Sequence, residues 1–267
     1  MRRLLVLAGI GLAVFLIWRL GPGAVRAVLA SASWRLFPLV VGAYVLQQTL
    51  GTFALWALGT MEDGPGWRKT PLMRLARVRF VGEVINYAMP TGSIGGEPYK
   101  LIALGQAEGR RRALDALAAA KFLHIAGIGP FAATVLFRAA DLGLGGEALR
   151  APFQYLGAAF ALITVAVWAL VLPGFLGRAL LGAYYRYRRL MPRPLRGFRV
   201  LLQLDRAAGR QVKRAPARAA LVYALYIGMW WAASIEWAAI ARVLDIGGSL
   251  GLAGGGLFEC ATIIVAV

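Results

Sequence analysis

The chain is poor in the residues on which catalytic and metal-binding proteins most depend. It has one cysteine, one histidine and only 12 acidic residues among 267. With Cys260 alone, an intramolecular disulfide framework is excluded, and in its apolar run the thiol behaves as a small hydrophobe. With His124 alone, a histidine-based metal cluster has no support. The glycines between 92 and 96 do not have the spacing of a G-x-G-x-x-G nucleotide loop, and no βαβ unit surrounds them. No metal, cofactor or use of ATP is therefore expected. Charge is scarce as well, at 16% of residues, against 60% hydrophobic. The longest stretch outside the apolar runs is about forty residues, near the lower limit for independent folding, so no soluble catalytic domain fits.

What the chain has in quantity is apolar length. Mean hydropathy is +0.66, and several runs approach the roughly 20 residues needed to cross a bilayer as helix. This predicts an all-α integral membrane protein, a polytopic helix bundle. The net charge of +18 would suggest nucleic acid in a soluble chain. Here Arg and Lys cluster in the links between apolar runs, where they set topology and attract anionic lipid headgroups. Membrane lipids, not nucleic acid, are the expected partners.

The predicted spans are residues 4–20, 36–58, 113–137, 152–176, 219–244 and 250–267, within one transmembrane domain of 1–267. Arg2 and Arg3 hold the N-terminus on the cytoplasmic side. Residues 4–20 read as an uncleaved first helix, although Ser31-Ala32-Ser33 resembles a weak signal-peptidase site. Gln47 and Gln48 in the second span read as hydrogen-bonding to neighbouring helices. Residues 71–80 interleave Leu72, Met73, Leu75, Ala76 and Val78 with Arg, as an interfacial helix does. Leu195–Leu204 in the long basic link has the same character. The apolar run that ends at Val267 has no polar flank, so the chain reads as the first part of a longer protein.

One stretch does not fit a simple span. Residues 80–104 are apolar but hold Glu83, Asn86, Glu97 and Lys100, with Arg79 at their edge, and Pro90, Gly92, Gly95, Gly96 and Pro98 break them. If this stretch crossed the membrane, Arg110, Arg111 and Arg112 would lie outside, and so would the link from Arg178 to Arg218, which has Asp205 as its single acid. That contradicts the positive-inside tendency. If it enters and returns, every strongly basic link is cytoplasmic. Ten helical residues before Pro90 span about 15 Å, half the hydrocarbon thickness. The stretch therefore reads as a re-entrant helical hairpin.

Interrupted backbone and ionisable groups at membrane depth are functional candidates. Gly92, Gly95 and Gly96 can aim N–H groups into one space, a returning half-helix adds positive charge, and Lys100 adds more: a site for phosphate or carboxylate. Arg79 with Glu83, and Glu97 with Lys100, can each neutralise locally; the alternative is that such pairs serve packing alone, but two breaks and several ions are much to carry for that. Lys121 and His124 share one face of the third full span. They read either as a cavity wall or as a snorkelling lysine beside a hydrogen-bonded imidazole. Glu236 is a possible outer gate or an interfacial residue beside Trp230, Trp231 and Trp237. Glu259 lies in the last run.

GEVINYAMPTGSIGGEPYKLIAL, Gly82 to Leu104, resembles the membrane domain of the lysylphosphatidylglycerol synthase family, the flippase-like or UPF0104 group. The shared pattern is a Gly-Glu pair, an Asn before Met-Pro, a Gly-Gly-Glu, and a Lys before a Leu-rich run. It falls on Glu83, Asn86, Pro90, Gly95, Gly96, Glu97 and Lys100. The resemblance implies a bacterial inner-membrane protein of pseudo-symmetric inverted halves, each with a re-entrant element. It also implies movement of aminoacylated phospholipid, or another lipid with a polar head, between leaflets. Lys121 falls near where many relatives carry an acidic residue. No soluble aminoacyltransferase domain is present, so synthase activity does not carry over. Two rival readings remain: a lipid-modifying membrane transferase with Glu97 or His124 as general base, and a non-catalytic partner of a lipid or glycan biosynthetic enzyme.

Overall fold

The structure, a computed structural model, describes residues 21–59, 69–88, 95–144, 146–171, 215–245 and 254–260, with isolated positions between these runs. Among the described residues all regular structure is helical. The helices are α1 (Pro22–Ser31), α2 (Phe37–Gly59, entered through a 3-10 turn at Trp34–Leu36), α3 (Leu72–Ala88), α4 (Glu97–Glu108), α5 (Arg110–Ala126), α6 (Ile128–Asp141), α7 (Glu147–Val171) and α8 (Pro216–Val243). Four stretches are long and apolar enough to cross a membrane: Trp34–Gly59, Arg110–Asp141, Glu147–Ala169 and Pro216–Val243. The protein is an all-α membrane protein.

The centre is the antiparallel pair α2 and α8, which make the most extensive helix contact. Small side chains are buried on both, Ala43 and Ala54 on α2 and Ala232 and Ala233 on α8, and a Cβ at Gly228 of α8 would meet the Leu50 side chain of α2 at 3.6 Å. Between apolar helices in lipid, close packing of small residues takes over from the hydrophobic effect as the source of attraction. The Ser33 N–H donates to the Val243 carbonyl (2.6 Å), tying the start of α2 to the end of α8. Ala32 beside it is buried, so Ser31-Ala32-Ser33 is built into the fold.

The span expected over 113–137 is two helices. The Pro130 ring has no N–H to give the Ala126 carbonyl and clashes with it, so the helix breaks one turn earlier, at Gly127. The join is tight: the Gly127 N–H still donates to Leu123 O (3.0 Å). α6 ends in a Schellman closure, with Leu144 N–H donating to Ala139 O (2.9 Å) and Gly143 at φ +64°, a conformation that suits glycine. α7 then runs back along α6, and a Cβ at Gly157 would lie 3.3 Å from the Phe137 ring. α7 starts at Glu147, ahead of the expected 152, because Glu147 in the first turn favours helix initiation. Its outer face, with Tyr155, Leu162 and Val165, is exposed.

The interfacial helix expected over 71–80 and the first arm of the hairpin are one continuous helix, α3. No proline or glycine pair interrupts 72–88, so nothing separates a surface piece from a buried one. Most of residues 4–20 and of the link 178–214, including Leu195–Leu204, lies outside the described residues, as do 172–176, 246–250 and 261–267. Residues 254–260 are helical and pack on α8: a Cβ at Gly255 would collide with the Ser234 carbonyl.

Candidate functional site

α3 and α4 are antiparallel. The Lys69 N–H, just before α3, donates to the Glu108 carboxylate at the end of α4 (2.8 Å). At the other end, the Gly96 N–H donates to Asn86 Oδ1 (2.6 Å). The chain thus enters and leaves this unit at the same end, beside the basic start of α5. Residues 89–94, with Pro90 and Gly92, lie outside the described residues. Two glycines set how closely the arms approach. A Cβ at Gly96 would run into the Gly82 carbonyl, and one at Gly82 into the Lys100 side chain.

Over that contact sits a charged triad. Lys100 Nζ donates to Glu83 Oε1 (2.7 Å) and Glu97 Oε1 (3.0 Å). Asn86 Nδ2 donates to the other oxygen of Glu83 (3.2 Å), so Asn86 links the triad to the start of α4. The Lys100 side chain is 6% exposed, while those of Glu83 and Glu97 are 22% and 25% exposed. One ammonium lies beneath two carboxylates, and the carboxylates are what an approaching group meets. The Glu97–Lys100 pair expected from the sequence is present. The Arg79–Glu83 pair is not, because Glu83 reaches across to Lys100.

Arg79 turns instead toward the α2–α8 pair. It is buried, donating to the Gln48 backbone carbonyl (3.1 Å) and side-chain oxygen and to Met229 Sδ (3.3 Å). Its guanidinium fills the notch above Gly51, where a Cβ would overlap it. Among the described residues it has no carboxylate partner. Gln48 does the interhelical bonding expected of it, whereas Gln47 Oε1 is buried with no partner among the described residues.

Of the three glycines expected to aim N–H groups into one space, Gly92 lies outside the described residues. The Gly96 N–H is taken by Asn86, and Gly95 lies half-buried in the turn. Pro98 is the second residue of α4, in the first turn, where its missing N–H costs no helix hydrogen bond. His124 faces α8: it stacks on Trp230 (centroids 4.7 Å apart, 7° between planes) and meets Tyr226 (5.3 Å). The Trp230 indole donates to the His124 carbonyl (3.2 Å), and His124 Nε2 has no partner among the described residues. Lys121 is half-buried one turn before it. Glu236 lies in the last third of α8, where its neighbour Trp237 donates to Glu259 (2.7 Å). Among the described residues no group of three His, Cys, Asp or Glu could hold a metal ion.

Sequence reasoning did not select Gly82, Gly51, Gln48, Met229, Tyr226 or Trp230 for this region. Gly82 had a signal, as the first half of the Gly-Glu pair. The others come from helices far away in sequence and carry no local mark.

The fold and the buried ions together define a multi-pass helical membrane protein with a paired charge cluster at a helical hairpin. The family described as Lysylphosphatidylglycerol synthase TM region matches residues 4–267, and the chain belongs to it. That family links the protein to lipid metabolism or lipid translocation. No curated protein matches the chain, and no solved structure does.

Proposed function

We propose that the protein moves a phospholipid with an amine-bearing polar headgroup between the leaflets of a bacterial inner membrane, with its N-terminus in the cytoplasm. The observation that carries this is the triad. Lys100 is already shared by two carboxylates, so the cluster of Glu83, Glu97 and Lys100 has an excess negative charge on its accessible side. It suits an ammonium, as in an aminoacyl-phospholipid, better than a second anion. Arg79 supplies the complementary charge one helical turn away, toward which a headgroup phosphate would lie. Lys100 thus organises the carboxylates rather than holding the lipid phosphate itself.

In this reading α3 and α4 form a re-entrant hairpin that brings the triad to mid-depth. Gln48, the partner of Arg79, is eleven residues from Gly59 and so about 16 Å along α2 from its end. The acyl chains stay in lipid, and the basic links contact anionic headgroups. A lipid or glycan biosynthetic enzyme would supply the substrate on the cytoplasmic side.

Reconstituted liposomes test the proposal. Wild-type protein speeds exposure of an aminoacyl-phospholipid headgroup on the opposite leaflet, and Glu97→Ala/Lys100→Ala does not. Equal rates would refute the reading. Accessibility of single cysteines placed in 105–112 tests the hairpin; labelling from the side opposite residue 69 would exclude the return.

A further inference from the structure

A second feature of the α3–α4 unit lies outside the buried network. Where the first turns of α3 run beside the last turns of α4, an open groove of about 480 Å³ separates them. Arg74, Arg77 and Gln106 line it together with Val78, Tyr99 and Ala103. None of these belongs to the triad. Arg74 and Arg77 are three residues apart, so they share one face of the helix. Both are exposed, and neither has an ion-pair or hydrogen-bond partner among the described residues.

Met73, Arg74 and Gln106 lie nearest the end where the chain enters and leaves, marked by the Lys69–Glu108 bond. Tyr99, near the start of α4, lies farthest from that end, with Arg77, Val78 and Ala103 between. Fixed positive charge and apolar surface therefore lie side by side along the groove. A free anion would use only the guanidiniums. A phospholipid uses both surfaces, because its phosphate is joined to hydrocarbon.

We propose that this groove is a binding site for an anionic phospholipid. The Arg74 and Arg77 guanidiniums donate to the phosphate oxygens, in the forked geometry that arginine favours. Gln106 donates to the glycerol or headgroup oxygens, and the first methylenes lie over Val78, Ala103 and Tyr99. The site holds lipid at the mouth of the hairpin whether or not the protein moves lipid across the membrane, so it stands apart from the translocation reading.

Native mass spectrometry of the full chain released from detergent micelles tests it. The probes are phosphatidylglycerol, phosphatidylcholine and inorganic phosphate, each offered alone and then with phosphate as competitor. Wild-type protein should retain phosphatidylglycerol, and Arg74→Gln/Arg77→Gln should weaken retention at least about tenfold, as expected for lost charge-assisted hydrogen bonds. Ala103→Phe, which fills the groove and keeps every charge, should weaken it comparably. Arg110→Gln/Arg111→Gln, which removes the same charge from a basic link at the same end but outside the groove, should weaken it far less. The site is overturned if either groove variant binds as wild type, or if the Arg110/Arg111 variant loses as much. It is also overturned if phosphatidylcholine is held equally or inorganic phosphate displaces the lipid.

Discussion

The α3–α4 hairpin and the α5–α8 contact solve one problem in two ways. Both place polar side chains among apolar helices. At the hairpin, ions from two chain segments neutralise one another, with Lys100 between Glu83 and Glu97 and Asn86 fastening the segments together. At α5–α8, His124 is held by ring stacking against Trp230 and Tyr226 and by a hydrogen bond to its backbone, with its Nε2 unused by any described residue. The first arrangement depends on charge and fails when one member is lost. The second depends on shape and tolerates a change of chemistry. That difference marks the hairpin as the place where a charged ligand can compete for partners.

The comparison breaks most visibly at Lys100. Lys100→Met leaves two partly buried carboxylates facing each other, and breaking a buried ion pair in this way costs about 3–5 kcal/mol. Denaturation of the purified protein in micelles should show it, and Glu83→Gln added to Lys100→Met should recover part of the loss. Strict additivity of the two changes would mean that the triad is not coupled.

A smaller loss is expected where the two backbones touch. Gly96→Ala forces a methyl into the Gly82 carbonyl; relieving such a clash costs about 1–3 kcal/mol, and opening the arms should slow headgroup exposure. Gly42→Ala is its control, since a Cβ there meets nothing within 4 Å; it should leave stability and activity unchanged or slightly raised. If the two substitutions behave alike, close approach of the arms is not what holds the triad.

The smallest effect is expected at His124. His124→Phe keeps a ring against Trp230, where stacking contributes about 0.5–1.5 kcal/mol, and removes both ring nitrogens, of which the buried Nε2 has no described partner. Stability should fall by less than about 1 kcal/mol, and headgroup exposure should persist. Abolished exposure with unchanged stability would move His124 into the headgroup site and erase the contrast with the hairpin.

Much of this was readable from residue type and spacing. Apolar length announced the membrane, and Pro90 with the glycines announced a break between two short helices. Glu97 and Lys100, three apart, announced an ion pair. What misled was proximity in the chain. Arg79 and Glu83 are also one turn apart, yet Lys100 offers Glu83 a better partner and Gln48 offers Arg79 an interhelical one. The break at Gly127 was legible in Pro130 but was masked by the unbroken hydropathy of 113–137. Residues 71–80 looked interfacial because Arg alternates with Leu and Val there, and that pattern does not show that the same helix continues to Ala88.

By itself the sequence determined the solvent and the kind of chemistry at the site: lipid around the chain, and few enough ions that each one in an apolar stretch had to find a partner. Hydropathy and helix propensity act locally, so they can be read in order along the chain. Which ion meets which was decided only in three dimensions. The arms of the hairpin meet at Gly82 and Gly96, and α2 and α8 meet over small residues. Those contacts set which opposite charges come within hydrogen-bonding distance and which, like Arg79, must settle for neutral partners.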